Sequence, residues 1–168
     1  MNTHFRKTRL IVAAVFAGTM LLAAPRTSFG QNYSFNPGYA ADAQRNSIRT
    51  LRFQLDAFRS AARTAPAYYS GTGYDQIQTH FQAVVSAYQT FKTTLTPTQA
   101  ANGANDFAEL DAGLSIIAEG FTNYQSEAAA GYSGASAFRD LCQTLSRAMD
   151  VWSRQFLTVC SRARVPMY

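Results

Sequence analysis

Histidine is scarce in this 168-residue chain: there are two, and His4 falls in an N-terminal stretch that reads as a removable leader. Only His80 belongs to the body of the protein. A His-x-x-x-His zinc helix, a two-histidine zinc site and a bis-imidazole haem are therefore closed to one copy of the chain. Cys-x-x-Cys-His is missing as well, which excludes covalent haem attachment. No Gly-x-Ser-x-Gly elbow is present to mount a nucleophilic serine. The carboxylate pair Glu109 and Asp111 stands two apart on a predicted helix, so its members point in different directions rather than at one bond. These gaps argue against an enzyme and leave no expected metal or cofactor. The chain also lacks alternating polar and apolar runs, so no strand competes with the helices described below. It carries no motif that names a family.

The first thirty residues have the form of an export signal. Arg6, Lys7 and Arg9 precede an uncharged, mostly apolar run from Leu10 to Ala24, shorter than the roughly 20 residues that span a bilayer as a helix. Ser28 and Gly30 supply small residues before a cut, so cleavage is expected between Gly30 and Gln31 and the product is periplasmic or secreted. The leader holds four of the fifteen Lys and Arg residues and none of the ten Asp and Glu. The mature chain keeps eleven bases against ten acids, a net charge of +1, and no transmembrane segment is expected in it. Overall basicity gives no reason to expect a nucleic-acid partner.

What remains is one domain by length. Residues 31–41, with Pro37-Gly38, read as an extended arm, and residues 42–168 as a single domain. Ile48, Leu51, Leu55, Phe58 and Ala62 repeat every three or four residues behind Asp42 as a candidate N-cap, which predicts a helix over 42–64. Thr72 and Asp75 resemble a capping box ahead of Ile77, Phe81, Val84, Tyr88, Phe91 and Leu95, the seam of a helix over 73–95. Thr96-Pro97-Thr98-Gln99 starts a short helical turn that Asn102-Gly103 interrupts. Phe107, Leu110, Leu114, Ile117, Phe121 and Tyr124 mark a helix over 105–129. Phe138, Cys142, Leu145, Met149, Trp152, Phe156 and Val159 mark the last, over 136–164, with Ser136 as its cap. Four long helices joined by short connections predict an all-α, antiparallel up-down-up-down four-helix bundle.

Four candidate sites follow from that arrangement. Tyr68, Tyr69, Tyr74 and Tyr132 come from the first and third connections, which an up-and-down bundle brings to one end. Tyrosine offers a rigid apolar face with a polar tip, suited to a protein or cell-envelope partner; the plainer account is that these rings plug the end. Arg45, Arg49, Arg52, Arg59 and Arg63 form a basic stripe for an anionic partner, or a solvated face partly neutralised by Asp56. The stripe lacks bulky apolar margins of the kind a membrane-lying helix uses. Gly113 and Gly120 share one side of a helix and make room either for Trp152 and a neighbouring helix or for a flat ligand. His80, Gly113, Gly120, Met149 and Trp152 would line such a core pocket, and a non-covalent haem between His80 and Met149 is its most specific form.

Cys142 and Cys160 are 18 residues apart, five full helical turns and about 27 Å along an unbroken helix. A disulfide spans about 7 Å between Cα atoms, so a continuous helix forbids the intrachain bond. Free buried thiols, a bond between two copies in a homodimer, or a break over Ser146 to Ser153 remain. The leading functional expectation is a non-catalytic exported protein that binds a partner through the tyrosine-rich end, and the alternative is a small-ligand carrier with a core pocket.

Overall fold

The structure, a computed structural model, describes residues 37–66, 71–131 and 136–167. These are all-helical, with no strand among the described residues. Five helices follow in order: α1 (Pro37–Arg63), α2 (Gly71–Thr93), α3 (Pro97–Asn102), α4 (Ala104–Ala129) and α5 (Ala137–Arg162). The expected leader, its cleavage point and the arm up to residue 36 lie outside the described residues.

Each apolar seam read from the sequence is the buried side of its helix. Ile48, Leu51, Leu55, Phe58 and Ala62 are buried on α1, and Phe138 through Val159 on α5. Each fully buried Phe or Leu contributes on the order of 2 kcal/mol relative to exposure. Three helix N-termini differ from expectation. Helix α1 begins at Pro37 instead of 42; the N–H that proline lacks is one that a first helical turn leaves without an intrahelical partner anyway. Asp42 is therefore inside the helix, where it pairs with Arg45 at 2.9 Å rather than capping. Thr72 lies inside α2, which starts at Gly71. Ser136 makes no capping bond; its hydroxyl donates to the Asp140 carboxylate at 3.0 Å. The Thr96 to Gln99 box forms as read, with Pro97 in the first turn.

The helices pair in a regular order. Close backbone packing joins α1 to α2, α1 to α5 and α4 to α5, whereas α2 and α4 meet through rings. Tyr74 of α2 touches Phe121 near the end of α4, and Tyr88 donates to the Phe107 carbonyl near its start. On α4 and α5, Gly113 lies against Trp152 and Gly120 against Leu145. On α1, Arg59 reaches Asp150 of α5 at 2.6 Å.

A polar junction closes the far side. The buried Gln44 donates to the Thr94 carbonyl at 2.8 Å and to the Gln99 Oε1 at 2.7 Å. Gln99 in turn donates to the Arg164 carbonyl at 3.1 Å, so α1, α3 and the segment after α5 are tied together. That segment leaves α5 through Arg164 in the left-handed conformation (φ 57°), with the Val165 N–H bonded to the Cys160 carbonyl. Ala163 and Val165 are buried in the core.

Candidate partner-binding surfaces

Tyr68, Tyr69 and Tyr132 lie outside the described residues, which leaves Tyr74 of the four tyrosines. Tyr74 is 1% exposed, and its hydroxyl donates to the Phe121 carbonyl at 3.0 Å. Its ring meets Phe121 edge-on at 5.9 Å and stacks on Tyr124 at 6.5 Å. It therefore offers no surface to a partner, and the expectation that it would is corrected. The reason was visible in the spacing, since Tyr74 stands three before Ile77 and seven before Phe81 and extends the α2 seam by one turn. Tyr124 in turn packs on Phe138 at 5.8 Å, so the start of α2, the end of α4 and the start of α5 share one aromatic cluster.

The arginine stripe divides by partner. Arg59 bonds Asp150, Asp56 at 3.0 Å and the Ser153 hydroxyl at 2.9 Å, so it latches α1 to α5. Arg45 holds Asp42, and Arg63 donates to the Arg59 carbonyl at 3.3 Å. Arg49 and Arg52 are exposed, and Phe53, next to Arg52 and one turn after Arg49, is 70% exposed. The stripe thus has one bulky apolar neighbour that the sequence reading missed, because Phe53 falls outside the seam.

The proposed core pocket is occupied by the protein itself. A Cβ placed on Gly113 would lie 3.1 Å from Trp152 Cδ1, and one on Gly120 3.1 Å from Leu145 Cδ2. Trp152 is buried, donates its indole N–H to the Leu110 carbonyl at 2.9 Å, stacks on Phe156 and meets Tyr88 edge-on. Met149 is fully buried, while His80 is half-buried on α2. Of the two glycines, Gly113 lies against Trp152, and Gly120 lies against Leu145 instead of another of these five residues.

Neither cysteine forms a disulfide, and both are buried on a helix that runs unbroken from Ala137 to Arg162. The expected alternative of a break over Ser146 to Ser153 is therefore overturned, and the two thiols cannot bond within the chain. Burial pushes Cys142 up to about 11 and Cys160 up to about 12, the latter in spite of Arg52 nearby. Protonated, enclosed thiols are poor nucleophiles and cannot meet a partner's thiol without local opening.

Two open grooves of about 360 Å³ score the surface. One, between α1 and α2, is lined by Asn46, Ser47, Thr50, Gln54 and facing α2 residues such as Ser86 and Thr90. The other, between α4 and α5, has Leu110 and Val159 in its floor and Asp106, Glu109, Arg154 and Arg162 on its rims. Near it, Ile116 is 68% and Val151 51% exposed, large apolar side chains on otherwise polar faces. Among the described residues no group of His, Cys, Asp and Glu could hold a metal ion, and no helix is long and apolar enough to cross a membrane. Comparison with protein-family models, curated proteins and solved structures gives no match.

Proposed function

We propose that this chain is a non-catalytic exported protein whose four long helices form an antiparallel up-down-up-down bundle. It binds a protein or cell-envelope partner through Tyr68, Tyr69 and Tyr132. The single observation that supports the reading is the Tyr74, Phe121, Tyr124 and Phe138 cluster, which gathers the elements flanking both tyrosine-bearing connections. The start of α2, the end of α4 and the start of α5 meet at these packed rings, which supports a reading with both connections at one end. Support for the bundle comes from the pairings: as α2 advances from Tyr74 to Lys92 its partners on α4 retreat from Phe121 to Asp111, and α4 with α5 does likewise. The apolar run behind Arg6, Lys7 and Arg9 supports export.

The test is capture of envelope components by the mature protein and by a Tyr68→Ala/Tyr69→Ala/Tyr132→Ala variant. The variant should lose the captured partner and keep full helicity by circular dichroism. Equal capture by the two proteins would overturn the reading.

A further inference from the structure

Charge is divided between the two helices that flank the exposed apolar pair. Helix α4 carries Asp106, Glu109, Asp111, Glu119 and Glu127 and no base. Helix α5 presents Arg147, Val151, Arg154 and Arg162 in one exposed row, at steps of four, three and eight. Asp111 is taken by Lys92 at 2.7 Å and Asp106 by Arg162 at 3.6 Å. Glu109, Glu119 and Arg147 enter no ion pair among the described residues. The contacts of Gly113 with Trp152 and of Gly120 with Leu145 fix the level of each residue along the pair. Counted from them, Glu119 lies within one residue of Arg147, Ile116 within two residues of Val151, and Glu109 falls between Arg154 and Thr158.

We infer that a second copy of this chain docks on the α4–α5 seam about a two-fold axis parallel to the helices. That operation lays α4 on the partner's α5 at the same level. Glu119 then faces the partner's Arg147, Glu109 faces the partner's Arg154, and Ile116 meets the partner's Val151, each contact occurring twice. A two-fold axis across the helices would instead set α4 on α4, carboxylate against carboxylate. Charge complementarity selects the first arrangement and the apolar pair supplies area at its centre. A bond between Cys142 and Cys160 of two copies plays no part, since both thiols face the core.

Sedimentation of the mature protein over a micromolar range reads the association directly. The wild type should form a dimer that weakens as salt is raised. Glu119→Arg and Arg147→Glu, both at exposed positions, should each weaken it by about tenfold or more while leaving helicity unchanged. Mixing the two variants restores opposite charge at that contact in both halves of a mixed dimer, so the mixture should associate where neither variant does alone. A wild type that stays monomeric, a dimer indifferent to both reversals, or a mixture no tighter than its components would each overturn the inference.

Discussion

Gly113 and Gly120 offer the same clearance to an added methyl group and should answer it oppositely. At each, a new Cβ would approach a buried side chain to 3.1 Å, a few tenths of an ångström too close. Both substitutions to alanine gain about 1 kcal/mol of helix propensity. The outcome rests on whether the neighbour can yield. At Gly113 the neighbour is the indole of Trp152, pinned by its bond to the Leu110 carbonyl, its stack on Phe156 at 5.7 Å and its edge contact with Tyr88 at 5.2 Å. Overpacking against a side chain so held costs about 1 to 3 kcal/mol, so Gly113→Ala should lose about 1 kcal/mol net. At Gly120 the neighbour is one methyl of Leu145, which can shift within its rotamer well. Gly120→Ala should accordingly be neutral or more stable by about 0.5 kcal/mol. Urea unfolding followed by circular dichroism resolves the difference, because a change of about 1 kcal/mol moves the midpoint by about 0.5 M for a domain of this size. In a Trp152→Phe background the cost of Gly113→Ala should largely vanish, a coupling of about 1 kcal/mol. A Gly113→Ala protein as stable as the wild type would refute the reasoning that the indole is immobile.

Stability should also fall in alkali. The thiols of Cys142 and Cys160 are raised by burial from 9.0 to about 11 and about 12, so above pH 9 the unfolded chain releases protons that the folded chain retains. The stabilisation is full below about pH 9 and is lost as pH climbs toward the folded values; Cys142→Ala/Cys160→Ala should flatten that decline in urea titrations repeated across pH. Gln99→Ala removes acceptors for Gln44 and the Thr96 N–H and a donor to Arg164, and should cost about 2 kcal/mol, against almost nothing for Thr98→Ala at the exposed neighbouring position. Arg164→Gly should raise the urea midpoint, because a left-handed residue costs about 1 kcal/mol that glycine does not incur.

The seams of all four long helices were legible because burial follows a three-and-four spacing that needs no knowledge of neighbours. The Thr96 to Gln99 box was legible for the same reason, being closed within four residues. Asp42, Thr72 and Ser136 show where local reading fails: each is a residue type that caps, but each has another use, inside a helix or bonded to a side chain. The latch from Arg59 to Asp150 spans 91 residues of sequence, and no spacing rule within one helix reveals it. Tyr74 was misplaced by its proximity to a loop although its register belonged to the core. The charge division between α4 and α5 is present in the sequence, but it gains meaning only when the two helices are known to lie side by side.

The packing of α1 on both α2 and α5 has a consequence for the order in which the protein can assemble. A chain that emerges from its N-terminus exposes α1 early, yet one flank of that helix waits for residues around Asp150 and Ser153. Gln44 is satisfied through Gln99, whose own donor partner is the carbonyl of Arg164. A nascent fragment that stops before α5 lacks the wall that covers α1, so the core cannot shut until α5 is out. Growth of the chain and closure of its interior are thereby separated in time.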